Sequence, residues 1–318
     1  MPEFVTIPDR VAGPGVSGRV RVDRRRSAET SQPTLVILGG MTQTLASWGG
    51  QVRPLAATRD VVVYEARGQG HSELAITDVS PPRHVEDFAA LLESLAIAGP
   101  VDLCGFSFGG RVALAIAATR PELVSRLVIT GVSAGRGALG RVIVRAWRAA
   151  LATGDLEALA WLSLADTLGP TYLDRNEHML AGMVQATMSR NHYAGIRALF
   201  EQTLGDDPAS PYQPYQPTTL APKIACPTLL LAGAHDRLAP AAELAALAAL
   251  FAGPVTHHVV PDVGHTVAIE APDLWRAHVL EFLSDRSDPA SSASSASSAS
   301  SASSASSASS ASSASSAS

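Results

Sequence analysis

The chain has 318 residues, of which 46% are hydrophobic, and a formal net charge of −5 at pH 7. This charge balance gives no reason to expect a nucleic acid or an acidic membrane surface as a partner. The two cysteines, Cys104 and Cys226, are too few for a disulfide framework, so we expect free thiols in a reducing compartment. No apolar run predicts a membrane span or a cleaved leader, and we therefore expect a cytoplasmic protein.

The composition divides the chain into segments. Residues 286–318 are almost entirely a repeat of Ala-Ser-Ser, which buries little apolar surface and predicts a disordered tail. The other residues, about 285 of them, suit one large domain with an insertion. Alternating strand and helix patterns occupy residues 1–133 and 223–285, and a helical pattern occupies 134–222. We predict a two-part core and a helical cap inserted between its parts.

The predicted strands, in chain order, are residues 3–7, 19–23, 34–38, 61–64, 101–104, 127–131, 228–233 and 256–260. Helices are predicted at residues 46–57, 112–119 and 241–252, after Ser80 and from Pro272, with a long helical stretch over 139–204. Continuous apolar runs such as 34–38 are typical of strands covered on both faces. The alternation indicates a mostly parallel sheet between two helical layers. Within the helical stretch, residues 142, 146, 147 and 150 share one predicted face.

A Gly-x-Ser-x-Gly pattern spans residues 105–109, between an apolar strand and an Ala-rich helix. A serine hydroxyl becomes a useful nucleophile when a sharp strand-to-helix turn holds it clear of the sheet, where a base can reach it. Glycines at 105 and 109 suit the close approach of strand and helix. The pattern makes Ser107 the candidate nucleophile.

Two partners for Ser107 lie far along the chain. Asp236 and His265 each follow a predicted strand, and the carboxyl ends of parallel strands converge on one crevice. His265 can take the proton of Ser107 and pass it to a leaving group, while Asp236 fixes the imidazole tautomer and stabilises the imidazolium. We therefore predict a Ser-Asp-His triad.

These motifs together resemble the α/β-hydrolase superfamily over nearly all of residues 3–283. Residues 105–109 match the nucleophile elbow, 233–236 the acid loop, and 264–265 the histidine loop. Residues 65–72 (Glu-Ala-Arg-Gly-Gln-Gly-His-Ser) are similar to the family's Asp-x-Arg-Gly-x-Gly-x-Ser, with Glu in place of Asp. The resemblance implies an α/β fold with an eight-stranded, mostly parallel sheet, helices on both faces and a helical cap.

The resemblance also implies an oxyanion hole made of two backbone N–H groups. One would belong to Phe108, directly after the nucleophile, and the other to Met41, in the loop after the third strand. Many family members have His-Gly in that loop, whereas this chain has Gly39 and Gly40.

The expected substrate contacts are Gly40, Arg111, Trp147 and Trp161. Arg111 lies one helical turn beyond Ser107, where it is either a surface arginine paired with an acid or a clamp for a substrate carboxylate. The stretch 105–111 resembles the menaquinone-pathway C–C lyase branch of the superfamily, which uses its triad to eliminate pyruvate. The two tryptophans are either pocket residues or the core of a helix pair.

The sequence therefore predicts a serine hydrolase that cleaves a carboxylic ester, thioester or lactone through an acyl-enzyme. No cofactor and no metal are expected, and the predicted partner is a small-molecule substrate. Two alternatives stay open: the C–C lyase reaction with the same triad, and a non-catalytic protein that binds a small ligand under the cap.

Overall fold

Eight strands form a single sheet in the computed structural model, which describes residues 2–28, 31–203 and 212–285. The strands are β1 (Glu3–Pro8), β2 (Ser17–Arg25), β3 (Leu35–Leu38), β4 (Val61–Tyr64), β5 (Val101–Phe106), β6 (Val124–Thr130), β7 (Thr228–Gly233) and β8 (Val255–Val260). Their order across the sheet is β1-β2-β4-β3-β5-β6-β7-β8. Among these strands, β2 runs antiparallel to its neighbours β1 and β4, and all the other neighbouring pairs are parallel. The predicted mostly parallel eight-stranded sheet is confirmed.

The central strands are buried on both faces, which explains their unbroken apolar sequences. In β3, Leu35 and Ile37 face a core built with α1 (Leu45–Leu55) and α11 (Pro272–Ser284). Val36 and Leu38 face a second core, built with α2 (Pro81–Ser94) and α3 (Phe108–Thr119). All four side chains are at most 1% exposed, and each such burial contributes about 1.5–3 kcal/mol. The two cores fix the helices on opposite faces of the sheet.

The strand order reverses at β3, because β4 lies on one side of it and β5 on the other. A crevice opens outside the carboxyl ends of parallel strands at such a reversal, and ligands bind there in open α/β sheets. The loop after β3 begins at Gly39, and Ser107 follows β5 directly. The topology therefore brings these two segments to the edge of one crevice.

Between β6 and β7 the described residues form four long helices: α4 (Gly137–Ala152), α5 (Leu156–Thr167), α6 (Pro170–Arg190) and α7 (Tyr193–Thr203). They form where the helical pattern was predicted, and the short α8 (Pro217–Leu220) follows them. The end of the predicted stretch, Leu204, lies outside the described residues, as does the Ala/Ser tail from 286 to 318. The remaining helices are α9 (Leu244–Ala248) and α10 (Val267–Glu270).

The face of α4 that carries residues 142, 146, 147 and 150 is not the buried face of this helix. Val142 is 59% exposed, while Ile143 and Val144 are buried. These two residues pack with Leu238, from the loop after β7, and with Trp147. Apolar residues occupy more than one side of this helix, so packing against that loop, rather than helical spacing alone, selected the buried side.

No helix in the described parts of the chain is long and apolar enough to cross a lipid bilayer.

Candidate active site

Ser107 lies in a strained turn between β5 and α3. Its φ of 51° and ψ of −112° are unusual for a residue with a side chain. Its N–H donates to the Thr130 carbonyl oxygen at 2.9 Å, which ties the turn to the end of β6. A Cβ atom on Gly109 would lie 2.4 Å from the Leu38 carbonyl oxygen, and one on Gly105 would lie 2.5 Å from the Gly109 oxygen. Only glycine fits at both positions of the motif.

His265 meets Ser107 from the loop after β8. Its Nε2 lies 2.8 Å from Ser107 Oγ, and its Nδ1 lies 2.7 Å from Asp236 Oδ2. The backbone N–H of His265 donates to the Thr167 carbonyl oxygen at 2.6 Å, so the end of α5 holds the histidine loop. The imidazole is 4% exposed. Three residues from distant parts of the chain thus form one hydrogen-bonded chain.

The tautomer of His265 follows from the partners of Asp236. Asp236 Oδ1 accepts the N–H groups of Leu238 and Ala239, both at 2.8 Å, which leaves Oδ2 to face the imidazole. A carboxylate only accepts hydrogen bonds, so Nδ1 carries the hydrogen and Nε2 presents a lone pair to Ser107 Oγ. This arrangement can remove a proton from the serine hydroxyl.

Two backbone N–H groups remain available beside Ser107. Within the described residues, the N–H groups of Met41 and Phe108 have no hydrogen-bond acceptor. Both residues line the same cavity as Ser107. Donors of this kind can receive the negative charge that develops on a carbonyl oxygen under attack.

The loop that carries Met41 is held by its neighbours. Gly109 N–H donates to the Gly39 carbonyl oxygen at 3.1 Å, and Gly40 N–H donates to Gln43 Oε1 at 2.9 Å. Gly40 packs against the Phe106 ring, which a Cβ atom would approach to 2.8 Å. The Gly-Gly sequence therefore allows the loop to lie directly on the end of β5.

Gln69 is a residue that the sequence interpretation missed. Its side-chain Nε2 donates to the carbonyl oxygens of Gly40 at 2.6 Å and of Met41 at 2.8 Å. The sequence feature that could have pointed to Gln69 was its place inside the 65–72 motif, between Gly68 and Gly70. In the structure both glycines have positive φ.

The cavity beside Ser107 has two lobes. The larger lobe has a volume of about 350 Å³ and lies against α5 and α6. The smaller lobe has a volume of about 60 Å³ and extends toward Arg111 and Arg136. The residues that line both lobes are Met41, Ser107, Trp147, Phe200 and Leu238. Ser107 therefore stands where a bond between a larger and a smaller group would lie.

The residues predicted to contact substrate divide into two groups. Gly40 lines the larger lobe, Arg111 lines the smaller lobe, and Trp147 lines both while its Nε1 donates to Asp166 Oδ2 at 2.8 Å. Trp161 does not line either lobe and is 43% exposed. The prediction for Trp161 is corrected, because the face of α5 that lines the larger lobe carries Leu159 and Ser163, and Trp161 falls between them on the opposite face.

Cys104 lies close to the candidate nucleophile in sequence but points into the core. It is fully buried, and this burial raises the pKa of its thiol to about 12. A thiol in such an environment stays protonated and unreactive.

Comparison with known proteins identifies the family of this chain. A family model described as alpha/beta hydrolase fold matches residues 33–272. The chain belongs to the alpha/beta hydrolase fold family.

Two relatives and one solved structure are distant in sequence but match most of the chain. Pyrrolizixenacetamide deacetylase of Xenorhabdus hominickii is 27% identical over 249 residues, covering 76% of this chain and 87% of the relative. A proposed 2-succinyl-6-hydroxy-2,4-cyclohexadiene-1-carboxylate synthase of Bacillus subtilis (strain 168) is 26% identical, covering 85% and 97%. The enol-lactonase of Burkholderia xenovorans LB400 has a similar structure, with a TM-score of 0.71, 24% identity and coverage of 84% and 97%.

Proposed function

We propose that this member of the alpha/beta hydrolase fold family is a serine hydrolase that cleaves a carboxylic ester, thioester or lactone through an acyl-enzyme. The observation that carries the proposal is the 2.8 Å contact between His265 Nε2 and Ser107 Oγ. The other ring nitrogen, Nδ1, lies 2.7 Å from Asp236 Oδ2. Nucleophile, base and orienting carboxylate are all supplied by the chain itself, so the reaction needs no metal or cofactor.

In the first half of the reaction, Ser107 Oγ attacks the substrate carbonyl carbon while its proton moves to His265 Nε2. The carbonyl oxygen becomes an oxyanion and accepts hydrogen bonds from the Met41 and Phe108 N–H groups. Loss of one such donor costs on the order of 3–4 kcal/mol of transition-state stabilisation. His265 then donates its proton to the leaving oxygen or sulfur, which departs and leaves Ser107 acylated.

In the second half, water attacks the acyl-enzyme and gives its proton to His265 Nε2. The proton returns to Ser107 Oγ as the acid product leaves. Asp236 stays ionised throughout and stabilises the imidazolium in both halves.

The two lobes support a substrate with groups of unequal size. The larger lobe, about 350 Å³, falls in the usual range of small-molecule pockets, and Leu164, Met179 and Met183 give it an apolar wall. The smaller lobe, about 60 Å³, has room only for a short group. We expect turnover to be highest when one side of the scissile bond is short, and a matrix of esters varied on both sides measures this.

The proposed chemistry is tested by covalent labelling with a fluorophosphonate and by hydrolysis of p-nitrophenyl acetate. The wild-type protein is expected to show both activities, and Ser107→Ala to lose both while its circular dichroism spectrum is unchanged. Ser94→Ala, at the exposed end of α2, is the matched control and retains both. Labelling of the Ser107→Ala variant would exclude Ser107 as the nucleophile. A wild-type protein that neither labels nor turns over any ester would favour ligand binding without catalysis.

A second candidate is the C–C lyase reaction with the same three residues. It is favoured by the position of Arg111, which lines the smaller lobe next to Ser107. The Arg111 Nη1 atom donates to Gln216 Oε1 at 3.4 Å. The Bacillus subtilis relative, named for a cyclohexadiene carboxylate synthase, agrees with this candidate. In the lyase, Arg111→Ala raises the KM for a dicarboxylic substrate by orders of magnitude and spares p-nitrophenyl esters. Equal effects on both substrates would count against a carboxylate clamp.

A further inference from the structure

We propose that Gln69 is a positioning residue that aims the Met41 N–H at the developing oxyanion. This inference rests on the proposed serine hydrolase function. Gln69 follows β4, whereas Met41 follows β3 and Ser107 follows β5. The side-chain amide of Gln69 reaches the Met41 loop, where its Nε2 bonds two successive carbonyl oxygens, of Gly40 and Met41.

The argument depends on the planarity of the peptide bond. The carbonyl of Gly40 and the N–H of Met41 belong to one rigid trans unit and point in opposite directions. A donor that holds the Gly40 oxygen on the Gln69 side therefore directs the Met41 N–H away from Gln69. Met41 and Ser107 line the same lobes. The side of the loop away from Gln69 is therefore the cavity side, where the Met41 N–H can donate to a substrate oxygen.

The second hydrogen bond adds a further constraint. Gly40 O belongs to the peptide unit before the Met41 Cα atom, and Met41 O belongs to the unit after it. The φ and ψ of Met41 are the rotations of these two units about its Cα atom. One amide nitrogen that bonds both oxygens, at 2.6 and 2.8 Å, thus restrains both rotations at once.

Two other contacts also hold the loop. The Gly40 oxygen also accepts the Gln43 N–H at 3.0 Å, and the Thr42 oxygen accepts Asn191 Nδ2 at 3.0 Å. Among the described residues, Gln69 alone donates to the Met41 oxygen. Removing its amide therefore leaves the loop attached, but the peptide unit that follows Met41 loses its hydrogen bond, and the unit that carries the Met41 N–H is held at the Gly40 oxygen by Gln43 alone of the residues that the structure describes.

Gln69 is itself rigidly placed. Its side chain is 3% exposed, and its own N–H donates to the Ala66 oxygen at 2.9 Å. Gly70 has a φ of 54°, and a Cβ atom there would lie 2.2 Å from the Glu65 carboxyl group. Glu65 in turn accepts the N–H groups of His71 at 2.7 Å and of Leu45 at 3.1 Å. A buried amide held in this way can act as a fixed template for the loop.

The test is Gln69→Met, which keeps the length of the side chain and removes both donated hydrogen bonds. The kcat for p-nitrophenyl acetate is expected to fall roughly 10- to 100-fold, and the KM to stay within about twofold. Complete loss of one oxyanion donor lowers kcat roughly 100- to 1,000-fold, and a misdirected donor costs less than that. The affinity for a trifluoromethyl ketone, whose serine adduct carries an oxyanion, is expected to fall by a similar factor.

The matched control is Gln51→Met. Gln51 is also 3% exposed, and its Nε2 donates to the carbonyl oxygens of Ala268 and Pro272 at 3.0 and 3.4 Å. It should lower the melting temperature and leave kcat and ketone affinity unchanged. Wild-type kcat and ketone affinity in Gln69→Met would overturn the positioning role.

Crystal structures of the wild type and Gln69→Met separate this inference from the proposed function. We expect the two peptide units around Met41 to rotate or become disordered in the variant, whether or not the wild type turns over esters. An unchanged Met41 loop overturns the inference even if the hydrolase assignment stands. Absence of fluorophosphonate labelling in the wild type would overturn the hydrolase assignment instead.

Discussion

Glu270 accepts a hydrogen bond from the Gly169 N–H at 2.7 Å and so joins the histidine loop to the residue directly before α6. The same carboxylate accepts the N–H groups on both sides of His265, from Gly264 at 2.9 Å and Thr266 at 3.1 Å, and the Thr266 hydroxyl at 2.9 Å. One side chain thus holds the backbone that carries the imidazole.

We predict that Glu270→Ala lowers both activity and stability. Loss of hydrogen bonds to a charged group is expected to cost about 2–4 kcal/mol of unfolding free energy. A displaced imidazole is expected to reduce kcat/KM for p-nitrophenyl acetate by roughly 100-fold. Urea denaturation and steady-state kinetics measure the two effects. Glu281→Ala, on the exposed side of α11, is the control and should change neither. If Glu270→Ala is insoluble, Glu270→Gln, which keeps one acceptor oxygen, should give a smaller loss.

Asp236→Asn is predicted to lower kcat about a thousand- to ten-thousand-fold with little effect on folding. The N–H groups of Leu238 and Ala239 require an acceptor, so the amide oxygen would face them and the NH2 group would face His265. The imidazole would then carry its hydrogen on Nε2 and could not accept the Ser107 proton. Kinetics with p-nitrophenyl acetate measure the loss. Asp262→Asn, whose native side chain is 80% exposed, should retain activity, and similar losses in both variants would argue against the tautomer explanation.

Gly109→Ala is predicted to destabilise the fold by more than about 4 kcal/mol, as expected for an added atom with no space. The new Cβ atom would lie 2.4 Å from the Leu38 oxygen and 2.6 Å from the Gly39 oxygen, and both are backbone atoms. Gly182→Ala, in α6, is the opposite case because, beyond its chain neighbours and its own helix backbone, no atom of the described residues lies within 4 Å of the added Cβ. It should stabilise the protein by about 0.5–1 kcal/mol. Thermal melts of both variants measure this difference in stability. If helix propensity alone governed both sites, the two substitutions would change the melting temperature in the same direction.

His84 is predicted to make the protein less stable in acid. Burial, with a contribution from the nearby Arg67 charge, lowers the pKa of His84 to about 3. The unfolded chain binds this proton below a pH of about 6.5, whereas the folded chain does not, so acid favours unfolding between these values. Going from pH 6.5 to 4.5, this group should remove about 2–3 kcal/mol of unfolding free energy. Urea denaturation of wild type and His84→Leu at both pH values measures it, and equal pH dependence in the two proteins would contradict the prediction.

The sequence predicted the sheet well because burial of a strand on both faces leaves a direct record in the residues. The runs at residues 35–38 and 61–64 are apolar throughout, and the structure buries them completely in β3 and β4. The same reasoning placed Ser107, Asp236 and His265 at strand ends, and parallel strands bring their carboxyl ends to a common edge. The structure brings the three side chains within hydrogen-bond distance, and their catalytic roles are the proposal that the experiments above test.

Predictions that depended on a helix face were less successful. In α4, apolar residues occupy several sides, and the choice of Ile143 and Val144 over Val142 was made by contact with Leu238, which is almost a hundred residues away. Trp161 shows the same limit of sequence reasoning. The residues around an apolar side chain on a helix do not show whether it faces a cavity or solvent.

The sequence by itself determined the fold class and the three residues that can meet at the crevice, because strand burial and strand ends are local properties of the chain. The two lobes and the role of Gln69 were decided only by tertiary structure. A hydrogen bond from Gln69 to the Gly40 and Met41 oxygens involves backbone atoms that every residue has, so no residue type in the loop records it. The direction of a peptide N–H is set by the partners around it, and those partners are adjacent only in the folded protein.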